Sequence, residues 1–284
     1  MSTTKFVPTV WSARILAALE KELVYSKFFN RDYEGEITDA GSTVKIGLVG
    51  APTVKTYTKG TAIADPDDVS ATEETLTVDQ ADYFNIAVED IDAVQSKIDL
   101  LNSAASQTGY AFSDKTDQYL AGLLATAAAP AGAVTAITKD NAYNMLVDLS
   151  VKLNKANCPK AGRVAAVPPE FEGFMLKDSR FVAVGVDASD ERLTEGTVYR
   201  AAGFDILVTN NAPTAKVGGS GVDKDNDVPV ILAGCDQSGT YADQILKTEA
   251  YRPEKAFKDA IKGLHVYGAT VTRPGCVVGA KVSF

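Results

Sequence analysis

The stretch ILKTEAYRPEKAFKDAIKGLHVYGATVTRP occupies residues 245–274, and three local patterns in it predict secondary structure. Residues 240–253 read as a strand or hairpin that stops at a proline. The segment AFKDAIKG at 256–263 predicts a short helix ended by Gly263, because glycine commonly terminates helices. The following segment, 264–274, alternates apolar and polar residues, which is typical of a strand. This part of the chain therefore predicts a strand, a short helix and a second strand.

Upstream of this stretch, the chain predicts an α/β region. Thr138 can cap a helix whose apolar face holds Leu146 and Leu149 and which ends before Cys158-Pro159. The remaining predicted elements are a buried strand at 163–167, a short helix opened by Pro168-Pro169, a strand, glycine turn and strand at 196–213, and apolar strands at 228–234 and 277–284. Helices and strands in this order indicate a folded domain with a mixed core.

Residues 89–129 predict one long helix. Ile91, Ile98, Ala105, Phe112 and Tyr119 recur every seven residues along this segment. At about 1.5 Å per residue an unbroken helix would extend on the order of 60 Å, which is long for a globular domain. The alternative is two shorter helices with a break near the glycine at position 109.

Residues 43–82 predict a β-hairpin whose two arms carry opposite charge. Thr43 to Val49 alternates as a half-buried strand, and Glu74, Leu76 and Val78 share one side of a later strand. The charged residues in 43–60 are Lys45, Lys55 and Lys59, whereas all the charged residues in 65–82 are acidic and include Glu73 and Glu74. Opposite charges facing each other across antiparallel strands help pairing modestly. Both a solvated hairpin and an arm that contacts a partner fit this pattern.

The N-terminal segment predicts an extended arm that carries a short amphipathic helix. Residues 1–10 lack periodicity, and Trp11, Ile15, Leu19 and Leu23 then fall four residues apart. Such a spacing places all four side chains on one helical stripe. A stripe on a short helix must dock on something else to bury its apolar surface.

Composition excludes several function classes. The chain has 284 residues, is 45% hydrophobic and carries a net charge of -9, which disfavours tight electrostatic binding of nucleic acid. Its three cysteines, Cys158, Cys235 and Cys276, are odd in number and far apart, so their spacing indicates neither a disulfide framework nor a zinc site. The uncharged run at 120–138 reads as a helix end followed by a loop, since Pro130 interrupts it.

Searches for catalytic and ion-binding motifs give negative results. In GGSGVDKDNDV (218–228) the residues Asp223, Asp225 and Asp227 alternate, but the glycine and glutamate that a calcium loop requires later are missing. The single histidine, His265, lies on a predicted strand and reads as structural, although it could pair with Cys235 or Cys276. We therefore predict no catalytic, cofactor or metal site, and a protein that works through its surfaces.

Three segments carry a resemblance to a known family. FVPTVWSARILAALEKELVYSKFFN (6–30) is similar to the N-terminal arm of tailed-bacteriophage major capsid proteins. AAGFDILVTNNAP (201–213) resembles a conserved turn of that family, with Thr209 where the family has serine. The stretch 245–274 resembles its C-terminal signature over about thirty residues with few gaps.

The resemblance implies an α+β tailed-phage major capsid protein fold and a virion localisation. The expected parts are an N-terminal arm (1–40), an extended β-hairpin loop (41–85), a spine helix with the peripheral domain (86–134), an axial domain (135–250) and a return to the peripheral domain with C-terminal strands (251–284). Family members form pentamers and hexamers in an icosahedral shell around double-stranded DNA. Assembly in the host bacterial cytoplasm, with no membrane or cofactor, is expected.

The resemblance also implies where subunits meet. The expected intersubunit contacts are ion pairs of Lys45, Lys55, Lys59, Glu73 and Glu74 on the extended loop, docking of the arm through Trp11, and a peripheral turn marked by Tyr251, Arg252 and Glu254. Because the arm begins at once, we expect a separate scaffolding protein, alongside a portal and an optional decoration protein. The segment 247–262 contains no asparagine, so we expect no lysine–asparagine cross-link there.

Two rival functions fit the same sequence. A nanocompartment shell of the same fold would enclose enzymes instead of DNA, and a hydrolase would use His265 or Cys235. For the loop at 218–228, a narrower hypothesis is a cation shared on a capsomer axis by aspartates from several subunits.

Overall fold

The computed structural model describes residues 23–32, 43–49, 54–57, 59–60, 71–89, 100–128, 133–178, 200–216, 227–254 and 258–284. Its helices are α1 (Leu100–Ala128), α2 (Ala142–Lys155) and α3 (Pro169–Lys177), with short 3-10 turns at Tyr25–Phe28 and Pro274–Cys276. Its strands are β1 (Phe29–Asn30), β2 (Thr43–Val49), β3 (Ala71–Thr77), β4 (Gln80–Glu89), β5 (Thr135–Ala136), β6 (Arg163–Val167), β7 (Arg200–Ala201), β8 (Phe204–Val208), β9 (Thr214–Lys216), β10 (Asp227–Cys235), β11 (Gly239–Tyr251), β12 (Lys258–Thr270) and β13 (Val277–Ser283).

A seven-stranded sheet is ordered β5-β13-β10-β6-β8-β7, with β9 paired to β10. Strand β10 runs antiparallel to β13 and to β6, whereas β6 runs parallel to β8. Successive residues of a strand face opposite sides, yet Val230, Ile231, Leu232 and Ala233 are all buried. Both faces of the sheet are therefore covered, which explains why 163–167 and 228–234 read as continuous apolar runs.

Two hydrophobic cores lie on the two faces of this sheet. The α2–α3 core is formed by Leu146 and Leu149 of α2, Phe171 and Met175 of α3, and Ile231 of β10, together with their buried neighbours. The α1 core lies on the other face. Its members include Phe112, Leu120 and Leu124 of α1, Leu232 of β10, Tyr267 of β12, and Tyr25 and Phe28 of the N-terminal segment.

A four-stranded sheet is ordered β1-β11-β12-β4, and its central strand corrects one prediction. The helix expected at 256–263 is wrong, because Lys258–Thr270 is the strand β12. This strand pairs with β11 on one edge and with β4 on the other. Adjacent Ala260 and Ile261 are both buried, so both faces are covered as well. Hydrogen bonding along two edges outweighs the helix preference of the isolated segment.

Glycines in β12 allow close packing on both of its faces. Gly263 is paired with Phe84 of β4, and the ring of Phe84 occupies the space that a Cβ at Gly263 would need. A Cβ at Gly268 would collide with the backbone carbonyl of Thr77 at the end of β3. Gly263 and Gly268 in the stretch 245–274 are therefore required by packing rather than by a turn.

Helix α1 is continuous from Leu100 to Ala128 and passes through Gly109 and Gly122. The alternative of two helices broken near position 109 is therefore wrong. The predicted start at Glu89 is also wrong, because Glu89 is the last residue of β4; residues 90–99 lie outside the described part. No helix of the described residues is long and apolar enough to cross a membrane.

Local signals explain the ends of the shorter elements, with one correction. Helix α2 begins at Ala142 with Asn141 at the capping position, so the predicted cap at Thr138 is wrong. The Asn141 side chain instead accepts a hydrogen bond from the Thr138 N–H at 2.7 Å. The predicted strand, glycine turn and strand is confirmed by β7 and β8, which are joined by Ala202 and Gly203 with φ values of 50° and 85°. Positive φ at both positions is what a tight hairpin turn needs.

Candidate assembly surfaces

The β2–β3 hairpin packs its apolar face on the four-stranded sheet. The two strands pair in register from Thr43↔Thr77 to Val49↔Ala71. Their inward face places Val44, Ile46 and Leu76 against residues of β11 and β12, including Ala242 and Val266. The predicted strand at 43–49 and the shared side of Glu74, Leu76 and Val78 are confirmed. The hairpin therefore has one fixed face and one free face.

The charges of the hairpin lie on different faces. Lys45 Nζ is 2.8 Å from Glu73 Oε2 on the outer face, and these side chains are 71% and 61% exposed. Opposite charge thus does pair across the strands, although an exposed pair contributes little stability. Glu74 lies opposite Ile46 on the inner face. Its Oε2 is buried and has no hydrogen-bond partner among the described residues.

Beyond β2, residues 54–57 form an exposed segment without regular secondary structure. Val54 is 94% exposed and Tyr57 is 68% exposed. Lys55 and Lys59 are exposed beside them, and Gly60 has a φ of 91° in the turn that follows. Two large apolar side chains exposed in one short segment indicate a candidate contact surface.

A polar corner lies where β4, β11 and β12 meet. The Tyr251 hydroxyl donates to Asn85 Oδ1 at 3.0 Å and accepts from Asn85 Nδ2 at 2.9 Å. Lys262 Nζ lies 5.4 Å from the centre of the Tyr251 ring and 3.1 Å from Glu249 Oε2. Arg252 and the nearby Glu254 are exposed just after β11. The three predicted peripheral residues are therefore close together at one end of the four-stranded sheet.

An open groove between β4 and α1 was not anticipated from the sequence. Its lining includes Tyr83, Ile86, Ala111 and Phe112. Tyr83 is 78% exposed, whereas its neighbour Phe84 is 8% exposed. The two-residue period of a strand would have placed Tyr83 on the outer side once Phe84 was assigned to the core. The sequence analysis did not predict this surface, because it did not assign Tyr83 and Phe84 to a face of the strand.

A buried carboxylate anchors the N-terminal segment on α1. The backbone N–H groups of Val24 and Tyr25 both donate to Asp117 Oδ1 at 3.0 Å. Burial raises the pKa of Asp117 to about 6, and the two backbone hydrogen bonds lower it in part. Leu23, the last residue of the predicted stripe, is buried in the α1 core. Trp11 and the rest of the stripe lie outside the described residues.

The remaining motif candidates are placed in separate regions. Most of the loop 218–228 lies outside the described residues, but Asp227 begins β10, where its Oδ2 accepts from Thr214 Oγ1 at 3.2 Å. His265 is buried between β12 and α1, with its ring 5.2 Å from that of Phe112. Cys235 belongs to the α2–α3 core on the opposite side of the seven-stranded sheet. The histidine–cysteine pair of the hydrolase hypothesis is therefore not assembled.

The three cysteines, in contrast, come together. Their sulfur atoms all lie within 4.8 Å of one another, and all three side chains are buried. Burial, followed by the nearby Cys235, raises the pKa of the Cys158 thiol to about 12. No spacing rule could have revealed this group, because each cysteine comes from a different part of the chain.

Comparisons with known proteins connect the chain to one family. The model of a family described as phage capsid protein matches residues 71–280, which is well over half of the chain. No curated protein sequence matches.

Among solved structures, a chain from Mycobacterium phage Che8 is similar over 91% of this chain and 90% of its own length, with 29% identity and a TM-score of 0.68. A chain from the capsid structure of the cyanophage P-SCSP1u is similar over 87% of this chain and 85% of its own, with 18% identity and a TM-score of 0.66. A chain from the mature capsid of bacteriophage PhiM1 is similar over 90% of this chain and 88% of its own, with 18% identity and a TM-score of 0.62. The last two likenesses concern the fold alone.

Proposed function

The chain belongs to the phage capsid protein family, and from this membership we propose how its surfaces build a shell. The protein is a structural component of a phage capsid. We propose that copies of it form pentamers and hexamers, which close into an icosahedral shell around double-stranded DNA. The nanocompartment alternative is not favoured, because the matching family is one of phage capsid proteins.

The observation that carries this proposal is the hairpin β2–β3 with its exposed continuation. One face of the hairpin is fixed to its own subunit by Val44, Ile46 and Leu76. The segment beyond it displays Val54 and Tyr57, at 94% and 68% exposure. A base packed on its own subunit and an exposed apolar segment are what an arm needs to reach over a neighbouring subunit, since covering that segment removes apolar surface from water.

Charged groups of the same hairpin complete the proposed contact. Lys55 and Lys59 are exposed near the apolar tip, where they can meet acidic groups of a neighbour. Glu74 is only partly buried, and its Oε2 on the inner face has no hydrogen-bond partner among the described residues; a cation of the neighbouring subunit would have to reach this carboxylate through the exposed part of the side chain. Lys45 and Glu73 pair within the subunit and can exchange partners during assembly. Each exposed pair is weak, so the contact depends on several together.

The two sheets provide a division into domains. We assign the seven-stranded sheet with α2 and α3 to the axial domain, and the four-stranded sheet with α1 to the peripheral domain. Residues 239–250 form most of β11 in the four-stranded sheet, so the peripheral domain takes this segment as well. The corner formed by Tyr251, Arg252 and Glu254 then contacts the adjacent capsomer.

The charge of the chain supports confinement of DNA without tight binding. The net charge is -9 at pH 7, so electrostatic attraction to phosphates is weak over most of the surface. The partners expected besides further copies of the chain are a scaffolding protein, a portal and an optional decoration protein, met in the cytoplasm of the bacterial host.

The test is electron microscopy of the full chain expressed with a candidate scaffolding protein. We expect closed shells for the natural sequence. A triple variant of Lys45→Glu, Lys55→Glu and Lys59→Glu should lower shell yield severely, because it reverses the charge of the arm, while circular dichroism stays unchanged. The matched control is the triple Lys139→Glu, Lys155→Glu and Lys160→Glu, which makes the same charge change on exposed residues near α2.

Two results would count against the proposal. A shell yield from the hairpin triple variant equal to that of the natural sequence would show that the hairpin charges do not contribute to assembly. A compact monomer from the natural sequence, at high concentration and with the scaffold present, would remove the shell function itself.

A further inference from the structure

The three cysteines of this chain converge at one buried point. Cys158 follows α2, Cys235 is the last residue of β10, and Cys276 ends the 3-10 turn that leads into β13. Their sulfur atoms lie within 4.8 Å of one another, and the chain has no other cysteine. The fold therefore brings all three cysteines of the chain close together from three separate elements.

Backbone contacts hold the group in place. Strands β10 and β13 pair through Gly234↔Val277, which puts Cys235 beside Cys276. The buried Ser238 hydroxyl donates to the Cys235 carbonyl at 2.7 Å and, in an alternative orientation, to the Cys276 carbonyl at 3.2 Å. The Cys158 N–H donates to the Leu153 carbonyl at 3.0 Å. The donor atoms are thus carried by fixed backbone, so little ordering is needed for them to bind a common ligand.

From this geometry we propose that Cys158, Cys235 and Cys276 form a binding site for one thiophilic cation, either Cu⁺ or Zn²⁺. Thiolate sulfur is the donor that selects such ions over Mg²⁺ or Ca²⁺. Binding forms three metal–sulfur bonds and releases the three thiol protons to solvent. The described residues offer no fourth histidine, cysteine or carboxylate ligand in this group. Zinc in structural sites takes four ligands, so three-coordinate Cu⁺ fits the site better.

A buried cation beside the cluster supports an anionic complex. Arg163 is 4% exposed and lies opposite Cys235 on β6. Its guanidinium donates to the carbonyls of Cys158 and Pro159 at 2.7 and 2.8 Å. No carboxylate among the described residues forms an ion pair with it. Three thiolates around Cu⁺ carry a net charge of -2 by formal count, and a neighbouring guanidinium offsets part of that charge.

The experiment uses the reduced full-length chain, titrated anaerobically with Cu⁺ or Zn²⁺ against a competing chelator, with Mg²⁺ as the hard-ion control. We expect one thiophilic ion per chain, an ultraviolet sulfur-to-metal charge-transfer band, and protection of the three thiols from alkylation. At an ion concentration about 100 times the Kd, the thermal midpoint should rise by roughly 5 °C. These readouts need only the natural sequence, and they apply equally to assembled shells and unassembled chains, so they are independent of the shell function.

Single variants then test the ligand set. Cys158→Ala, Cys235→Ala and Cys276→Ala should each weaken binding by more than about 100-fold, since even losses outside the ligand shell cost about 10- to 100-fold. Met175→Leu, which removes a sulfur from the same core while conserving volume, should leave affinity unchanged. Three outcomes would overturn the proposal: no ion bound by the natural sequence, natural affinity in any one of the cysteine variants, or a native disulfide that leaves one alkylatable thiol after denaturation.

Discussion

The core beneath α1 contains buried acidic groups, whereas the core between the seven-stranded sheet and α2 and α3 is built of hydrocarbon and thiol side chains, with the buried charge of Arg163 at its edge. In the α1 core, Asp117 accepts two backbone hydrogen bonds from the N-terminal segment. Asp243 Oδ1 lies 2.6 Å from Arg31 Nη2, and Asp243 Oδ2 lies 3.6 Å from His265 Nε2. In the α2–α3 core, the side chains are those of residues such as Leu149, Phe171 and Cys235.

This difference follows from where the parts of each core come from. Apart from Cys276 and the C-terminal strand, the α2–α3 core is built from elements that follow one another along the chain, so their apolar patterns bring together elements that are neighbours in sequence. The α1 core joins the N-terminal segment to α1 and to strands far along the sequence. Buried polar pairs are costly unless they are matched, so they disfavour wrong pairings. We infer that the charged groups specify which distant segments meet, and the predictions below separate the two kinds of core.

The largest effect is expected from truncating a side chain of the α2–α3 core. Leu149 is fully buried on α2, so Leu149→Ala should lower the free energy of unfolding by about 2–5 kcal/mol. The loss should be the same at pH 5.5 and 7.5, because hydrocarbon packing involves no proton. Urea unfolding of the unassembled chain measures it, and Val151→Ala, at an exposed position of the same helix, serves as the control. A loss that changed with pH would contradict hydrocarbon packing as the source of this stability.

A smaller but pH-dependent effect is expected at Asp117. Asp117→Ala leaves the N–H groups of Val24 and Tyr25 without their acceptor, and should cost about 2–3 kcal/mol. Asp117→Asn keeps an acceptor oxygen and should cost much less at pH 7.5. Equilibrium unfolding of both variants checks the order, and equal losses would show that the acceptor is unimportant.

The sign of the pH dependence follows from the raised pKa of Asp117. Burial raises this pKa from 3.8 to about 6, so between these values the folded state holds a proton that the unfolded state has lost. The protonated carboxyl therefore adds stability that is fully present below pH 3.8 and is lost as the pH rises through 6. From pH 5.5 to 7.5, Asp117→Asn should gain about 1 kcal/mol relative to the natural sequence. A constant difference over this range would contradict the raised pKa.

The smallest loss expected from adding or removing side-chain atoms concerns the contact between the hairpin and the four-stranded sheet. A Cβ at Gly268 would meet the backbone of Thr77 and Val78, so Gly268→Ala should cost about 1–3 kcal/mol through overpacking. Gly122→Ala is the matched control in α1, because nothing lies within 4 Å of its Cβ position; there alanine should stabilise the helix by about 0.5–1 kcal/mol. Thermal unfolding of both variants gives the comparison, and equal shifts would exclude the close approach.

Much of the fold could be predicted because its elements carry their own signals. Strand β2 begins and ends where the alternation of Thr43 to Val49 does. The continuous apolar run at 163–167 is the strand β6, buried on both faces. Helix α3 begins at Pro169, where a proline signal predicted it. The family was equally visible, since two of the three segments that carry the resemblance, 201–213 and 245–274, lie within the residues 71–280 that the family model matches.

The candidate surfaces could be predicted only in part. The charges of the β2–β3 hairpin fitted both a solvated hairpin and a contact arm, and the unsatisfied oxygen of Glu74 required knowing which face it occupies. Tyr83 and its groove depended on the packing of Phe84. The spacing of the three cysteines along the chain did not predict their cluster, because a separation in sequence says little about the distance in space between separate elements.

The sequence by itself determined the strands and helices whose burial pattern matches a period of 2 or 3.6 residues, and it determined the capsid family through motifs that lie within short segments. Tertiary structure alone decided three further features: that 258–263 extends β12 instead of forming a helix, that Asp117 receives the N-terminal segment, and that Cys158, Cys235 and Cys276 meet. The physical reason is common to all three. Each depends on a partner distant in sequence, whose hydrogen bonds, charge or contact outweigh the local preference of the residues concerned.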